Sequence, residues 1–241
     1  MPTLQHGDAS IYYEEYGSGY PILLFAPGSL SSTIDFWHRG RWDPTAELAS
    51  EYRVIAMDQR NAGRSRAPIR DSDNWDTYLA DHIALLDHLG IERTHIMGAC
   101  IGVSFALRLI EAEPERVSAA VMQQPIGANA PRTPSEAFTS WRDQLIDHPE
   151  ATDAVLKQFH ENLYGPLFIY SVSREFVRSC AMPMVVLPGN DQAHPYEIAE
   201  ELARIAPNAE FIPDWKEGAA MEAAFGRIRE FLRANTPVTS Q

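Results

Sequence analysis

Short apolar runs alternate along this chain with stretches in which apolar residues recur every three or four positions. Runs with the length and composition of buried strands lie at residues 3–6, 10–16, 21–26, 52–57, 117–122 and 184–187. Residues 74–89 carry apolar side chains at helical spacing, and the pattern ends at Gly90. This alternation predicts an α/β fold in which helices cover both faces of a mostly parallel, twisted sheet.

One strand-to-helix junction carries a candidate nucleophile. Residues 98–102 read Gly-Ala-Cys-Ile-Gly, between an apolar run at 95–97 and a helical pattern at 103–110. A small-x-nucleophile-x-small turn at such a junction directs the central side chain into the cleft above the sheet. Cys100 takes the place where most such turns carry a hydroxyl. Its position at a helix N-terminus favours the thiolate, so we expect Cys100 to be a reactive nucleophile.

About sixty residues separate the strand at 117–122 from the strand at 184–187, where a few are usual. We predict that residues 125–179 form a helical lid, with helices near 135–146, 152–163 and 173–178. Aromatic side chains recur in this insertion, and Trp141 is one of them. A helical flap over the carboxyl ends of the strands would exclude water and shape an apolar pocket.

With these elements in order, the chain resembles the α/β-hydrolase fold superfamily. Residues 26–29 (Ala-Pro-Gly-Ser) stand where that family has its oxyanion turn, and residues 57–65 match its Asp-x-Arg-Gly-x-Gly-x-Ser turn. The resemblance implies about eight strands with a lid inserted after the sixth, the core comprising residues 1–124 and 180–241 of a single domain. It also implies that the backbone N–H groups of Ser29 and Ile101 form the oxyanion hole.

The family's catalytic acid follows the strand after the lid, and Asp191 matches that place. The family's histidine normally comes after the last strand. This chain has no histidine beyond His194, and Asp214 stands near the place where the family has its histidine. We therefore expect His194 to be the base, oriented by Asp191 or, in a swapped triad, by Asp214. The alternative interpretation of His194 is a turn residue that caps the helix after Pro195.

Further side chains are candidates for lining the substrate pocket. His38 follows the oxyanion turn and is also the reserve base. The predicted substrate-binding residues are Gly28, Trp37, His38, Gln124, Trp141 and Trp215. The sequence lacks metal-ligand spacing of histidines, a phosphate loop and a dinucleotide glycine fingerprint, which predicts an enzyme without a metal or other cofactor.

Composition narrows the possible partners and the compartment. The chain has 241 residues, 45% of them apolar, which suits one globular domain. Its net charge of −13 disfavours nucleic acid and anionic membranes, so we expect a small-molecule substrate and a monomer or homodimer. Two cysteines, Cys100 and Cys180, are too few for a disulfide framework. The absence of a signal-peptide pattern and of a membrane-length apolar run favours a cytoplasmic protein.

These observations predict a cofactor-free hydrolase in which Cys100 forms an acyl-enzyme with a small ester, lactone or thioester. The strand-to-helix turn at residues 98–102 is called the elbow. At this elbow alone the chain is similar to dienelactone hydrolases, which also carry a cysteine between glycines. Two alternatives stay open at this point. One is a lyase or isomerase whose oxyanion hole stabilises an enolate without a covalent step. The other is a ligand-binding protein of the hydrolase fold with little or no turnover.

Overall fold

A computed structural model describes residues 2–127 and 135–238. The strands are β1 (Thr3–His6), β2 (Ala9–Tyr16), β3 (Tyr20–Phe25), β4 (Tyr52–Met57), β5 (Thr94–Ala99), β6 (Val117–Gln123), β7 (Met184–Leu187) and β8 (Ala209–Phe211). The helices are α1 (Asp35–His38), α2 (Pro44–Glu47), α3 (Trp75–His88), α4 (Ile101–Ala112), α5 (Glu136–Arg142), α6 (Asp153–Leu163), α7 (Arg174–Ser179), α8 (Tyr196–Ile205) and α9 (Gly218–Asn235), with short 3-10 helices at Ser29–Ser31 and Pro114–Arg116.

The strands form one sheet in the order β1-β2-β4-β3-β5-β6-β7-β8. β1 and β2 pair antiparallel, β2 pairs antiparallel with β4, and the remaining pairs are parallel. The strand order reverses at β3, which lies between β4 and β5. Open α/β sheets bind their ligands at the carboxyl ends of strands beside such a reversal. This eight-stranded, mostly parallel sheet confirms the predicted α/β-hydrolase architecture.

Alternate residues of β3 belong to two different apolar clusters. Leu23 and Phe25 pack in one cluster, whereas Ile22 and Leu24 pack in the other. Because successive side chains of a strand point to opposite faces, the clusters lie on the two sides of the sheet. Residues of α3, α4 and α8 complete the first cluster, and residues of α1 and α9 complete the second. Burial on both faces explains why these strands read as continuous apolar runs.

Helix α3 begins and ends where the sequence pattern indicates. The Asn74 side chain accepts a hydrogen bond from the backbone N–H of Asp76, and the Thr77 hydroxyl accepts one from the N–H of Asn74. These bonds satisfy N–H groups that have no partner within the helix. The helix is followed by Leu89 and by Gly90 at φ 65°. The predicted range of 74–89 thus includes the two capping residues.

The insertion at residues 125–179 contains α5, α6 and α7, and residues 128–134 lie outside the described part. Its first helix is shorter than the predicted range of 135–146, because α5 ends at Arg142. Beyond it the backbone forms successive turns, in which Gln144 N–H donates to the carbonyl of Trp141 and Leu145 N–H donates to that of Arg142. Ile146 is 87% exposed, so the apolar face that suggested a longer helix is not continued.

Within residues 2–127 and 135–238, no helix combines the length and the apolar character needed to cross a bilayer.

Candidate active site

Cys100 occupies a strained turn between β5 and α4. Its backbone lies at φ 57° and ψ −120°, in a region that non-glycine residues rarely adopt. A Cβ added at Gly98 would lie 2.3 Å from the carbonyl oxygen of Gly102, and one added at Gly102 would lie 2.1 Å from that of Phe25. Both flanking positions therefore exclude a side chain. The thiol is free and half-buried, as expected for a residue at the top of the sheet.

Asp191 and His194 lie together in the loop between β7 and α8. Nδ1 of His194 is 2.9 Å from Oδ1 of Asp191 and 3.1 Å from its Oδ2. The same carboxylate accepts hydrogen bonds from the backbone N–H groups of Ala193 and His194. Partial burial raises the pKa of Asp191, but the hydrogen bonds from His194 outweigh it and lower the pKa below its ordinary value. The charged carboxylate consequently fixes the imidazole ring by its Nδ1 side.

The second imidazole nitrogen is buried, and Cys100 affects the pKa of the ring. Within the described residues, Nε2 of His194 has no hydrogen-bond partner. Burial lowers the pKa of His194, but the neighbouring Cys100 sulfur and the Asp191 carboxylate raise it to about 9. The sulfur is thus close enough to affect the ring although no hydrogen bond of good geometry joins them. Catalytic hydrogen bonds are often long in the ligand-free state and shorten when substrate binds.

The absence of a side chain at Gly189 allows His194 to pack directly against the Gly189 backbone. A Cβ added at Gly189 would lie 2.2 Å from Cβ and 2.3 Å from the carbonyl oxygen of His194. Gly189 stands in a Pro-Gly pair directly after a strand, which indicates a turn but not the close approach of His194.

Strand pairing brings the predicted oxyanion donors beside the nucleophile. β3 and β5 are neighbours with Phe25 paired to Gly98, so the turns that follow the two strands are adjacent. Ile101 is the first residue of α4 and Ser29 the first residue of its 3-10 helix. The N–H group of a first helical residue has no partner within the helix. Both N–H groups are therefore free of helical hydrogen bonding at the carboxyl edge of the sheet.

Asp214, the alternative acid predicted to orient His194, is not bonded to its imidazole. It is exposed in the loop after β8, whereas Nδ1 of His194 is bonded to Asp191. The geometry therefore corresponds to the first of the two predicted pairings. The next residue, Trp215, is buried, and its indole Nε1 donates to the carbonyl of Pro188 over 2.8 Å. This bond ties the loop after β8 to the loop that carries Asp191.

Three predicted pocket residues make contacts within the fold. Nδ1 of His38 is 2.8 Å from Oδ2 of Asp43, and its half-exposed ring also packs against Tyr16. Trp37 is buried in the cluster that includes α9. Trp141 donates from Nε1 to the carbonyl of Asn61 and stacks on Phe159. The role of these three side chains in substrate binding stays a prediction.

Gly28 and Gln124 shape the ends of strands near the elbow. Gly28 has φ 117°, and a Cβ there would lie 2.6 Å from the ring of Phe36. Gln124 has φ 50°, and its N–H donates to the carbonyl of Leu187 over 2.7 Å. Their role in substrate binding, like that of Trp215, stays a prediction.

The insertion residue Tyr164 forms a hydrogen bond with the oxyanion turn. Its hydroxyl is 2.9 Å from Oγ of Ser29. No feature of the sequence distinguishes Tyr164 from the other aromatic residues of the insertion. In the described ranges, no group of three or more histidine, cysteine or carboxylate side chains could hold a metal ion.

Comparisons with known proteins agree with the fold. A family model described as the alpha/beta hydrolase fold matches residues 21–221. RutD of Azorhizobium caulinodans, a protein named for carbamate hydrolysis, is 36% identical over 118 residues, which are 48% of this chain and 42% of that protein. The uncharacterized carboxylesterase nap of Bacillus subtilis is 25% identical, and the match covers 91% of this chain and 81% of that protein.

A solved structure extends the likeness over nearly the whole fold. The enol-lactonase from Burkholderia xenovorans superposes with a TM-score of 0.68 at 18% identity, covering 96% of this chain and all of the other. The chain spans 32–42% of the length of three curated relatives that it matches at 33–36% identity. The family match covers most of this chain, from β3 into α9. The chain belongs to the alpha/beta hydrolase fold family.

Proposed function

We propose that this protein hydrolyses a small carbonyl substrate, an ester or lactone, through a cysteine acyl-enzyme. The observation that carries the proposal is a buried imidazole whose Nδ1 is bonded to Asp191 and whose pKa is raised by the neighbouring Cys100. A nucleophile, a base beside it and a carboxylate that orients the base are the parts required for acyl transfer. Names of relatives support the substrate class, because they include a carboxylesterase and an enol-lactonase.

In the proposed first step, Sγ of Cys100 attacks the carbonyl carbon and the thiol proton passes to Nε2 of His194. The carbonyl oxygen becomes an oxyanion, which accepts hydrogen bonds from the N–H groups of Ser29 and Ile101. The carbon–oxygen bond to the alcohol part then breaks, and the leaving oxygen takes the proton from Nε2. The product of this half-reaction is a thioester on Cys100.

In the second step, water attacks the thioester carbon and gives a proton to Nε2 of His194. The carbon–sulfur bond breaks, the acid leaves, and the proton returns to the sulfur. Asp191 keeps Nδ1 protonated throughout and stabilises the positive ring. Cys100 and Asp191 raise the pKa of His194 to about 9, which favours the positive ring that is formed in each step.

We also infer that the insertion at residues 125–179 acts as a lid over this site. The hydrogen bond between Tyr164 and Ser29 supports that role, since it joins α6 of the insertion to the oxyanion turn. The aromatic side chains of α5 and α6 pack on one another, with Trp141 stacked on Phe159. A closed apolar cover of this kind would keep bulk water from competing for the polar groups of the site.

The test combines labelling of cysteine with turnover of p-nitrophenyl acetate. Iodoacetamide is expected to alkylate Cys100 stoichiometrically and to abolish turnover. Cys180 is the internal control, because it is buried and burial raises the pKa of its thiol. The Cys100→Ala variant should be inactive, whereas Cys180→Ala should keep the activity.

Other outcomes would favour the two alternatives. Turnover that survives in Cys100→Ala would contradict a covalent step and favour the noncovalent lyase or isomerase. Slow, equal labelling of Cys100 and Cys180 with no turnover of activated esters would favour a binding protein.

A further inference from the structure

Ser29 stands at a backbone position that is better suited to glycine. Its φ is 54°, in the left-handed region, and it follows Gly28 at φ 117°. A non-glycine residue in this conformation carries an energetic cost that glycine avoids. Strained positions of this kind cluster at functional sites, where the side chain has a use. The only thing that serine adds over glycine here is its CH₂–OH group.

The Ser29 hydroxyl is paired with a tyrosine from the insertion. Oγ of Ser29 and the phenol oxygen of Tyr164 are 2.9 Å apart. Tyr164 directly follows helix α6 and caps it, because its backbone N–H donates to the carbonyl of His160. Its ring packs edge-on against Tyr170 at 5.2 Å between centroids and lies 4.8 Å from the His160 ring. The phenol is thus held by its backbone and by its ring.

The same phenol lies at the oxyanion turn, which strand pairing places beside the turn that carries Cys100. Burial holds the pKa of Tyr164 above its ordinary value. The phenol therefore stays protonated. A phenol is a stronger hydrogen-bond donor than an aliphatic alcohol, so the favoured arrangement has Tyr164 donating to Oγ of Ser29. The hydrogen on the Ser29 hydroxyl is then available for an acceptor bound at Cys100.

We propose that the Ser29 hydroxyl, fixed by Tyr164, is a third hydrogen-bond donor to the oxyanion formed at Cys100. This inference rests on the proposed function, in which the N–H groups of Ser29 and Ile101 are the other two donors. Ser29 is then a catalytic residue through both its N–H and its hydroxyl, and Tyr164 is a positioning residue. No proton is transferred by either hydroxyl, since both act only through hydrogen bonds.

The experiment compares Ser29→Gly, Tyr164→Phe and the double variant in hydrolysis of p-nitrophenyl acetate. Ser29→Gly removes the hydroxyl while keeping the left-handed backbone, so the urea midpoint of unfolding should be unchanged or higher. Loss of one oxyanion donor costs about 10²-fold in kcat. We expect a loss of that size in Ser29→Gly with KM little changed, because the bond forms only in the transition state.

Tyr164→Phe should lower kcat less than Ser29→Gly does, with KM again little changed. In the double variant, kcat should equal that of Ser29→Gly alone, because Tyr164 acts through the hydroxyl that is already missing. The matched control is Tyr20→Phe. Tyr20 forms the same kind of pair with Ser118, at 2.9 Å, but at the opposite ends of the strands. Its kcat should remain that of the wild type.

Three results would overturn the inference. An active Ser29→Gly variant with wild-type kcat would remove the hydroxyl from the reaction. Multiplicative losses in the double variant would show that Tyr164 does not act through Ser29. A loss in Tyr20→Phe equal to that in Tyr164→Phe would assign the effect to general destabilisation. A wild-type protein without esterase turnover would instead refute the proposed function itself, and with it the inference.

Discussion

Replacing Gly189 by alanine tests whether the position of His194 controls catalysis. The added methyl carbon would lie 2.2 Å from Cβ of His194, and ordinary contact begins at about 3.4 Å, so the two residues must separate by about 1.2 Å. The φ of Gly189 is outside the left-handed region, which means that the perturbation is this clash and not backbone strain. Misplacing a reacting group by about 1 Å costs about 10²-fold in rate.

We therefore expect kcat/KM of Gly189→Ala to fall by about 10²-fold, or about 2.7 kcal/mol in transition-state stabilisation. The assay is hydrolysis of p-nitrophenyl acetate, with circular dichroism and urea unfolding to confirm that the variant is folded. The control is Gly226→Ala in α9, where an added Cβ would meet nothing within 4 Å. Alanine is preferred over glycine in a helix by roughly 0.5–1 kcal/mol, so this control should be fully active and at least as stable.

The reasoning is refuted if a folded Gly189→Ala variant hydrolyses the ester as fast as Gly226→Ala does. That result would mean that the loop at residues 188–194 moves aside without displacing the imidazole, or that the imidazole is not part of the reaction. A parallel measurement separates these cases. His194→Ala should stall the second half-reaction and let an acyl-enzyme accumulate, which intact-mass spectrometry would detect. Unchanged steady-state turnover in His194→Ala would remove that residue from the mechanism.

Three further changes probe the same group of side chains. Asp191→Asn removes the charge that holds Nδ1 of His194 and should lower kcat by about 10²-fold or more, measured against Asp214→Asn, which should be unaffected. Cys100→Ser should lose most turnover, because a hydroxyl is far harder to deprotonate than a thiol; equal activity would argue against reliance on the thiolate. The pKa of His194 is raised from 6.5 to about 9, so its protonated form stabilises the fold fully below pH 6.5, and this contribution is lost as the pH rises through 9. Urea unfolding should therefore show a steeper loss of stability over that window in the wild type than in Cys100→Ala, and equal slopes would contradict the pairing.

The sheet and the elbow could be predicted because their signals are local. Cys100 sits between two glycines at a change from strand to helical periodicity, and each glycine is required by a backbone atom nearby. The pairing of Asp191 with His194 could also be proposed, since residues three apart in a turn can reach one another. The choice against Asp214 could not be made from the chain, because it depends on how two loops lie in space.

The residues around the site were harder to identify for a related reason. Trp141, Trp37 and Tyr164 are all aromatic residues in plausible segments, yet Trp141 donates to the carbonyl of Asn61 and Trp37 packs in the cluster that includes α9, whereas the Tyr164 hydroxyl pairs with Ser29. Periodicity shows which side chains are buried but not what they are buried against. Gly189 illustrates the same point, since an absent side chain leaves no chemical signal in a sequence.

Placing both Asp191 and His194 between β7 and α8 has a consequence for how this fold can vary. Because Asp191 and His194 belong to one short loop, they move together, and thermal motion elsewhere in the molecule does not separate them. In the proposed mechanism the peptide after β8 carries no reactive group, so the reaction does not constrain its sequence or length. Trp215 still anchors that peptide to Pro188, so it connects the peptide to the loop that carries Asp191.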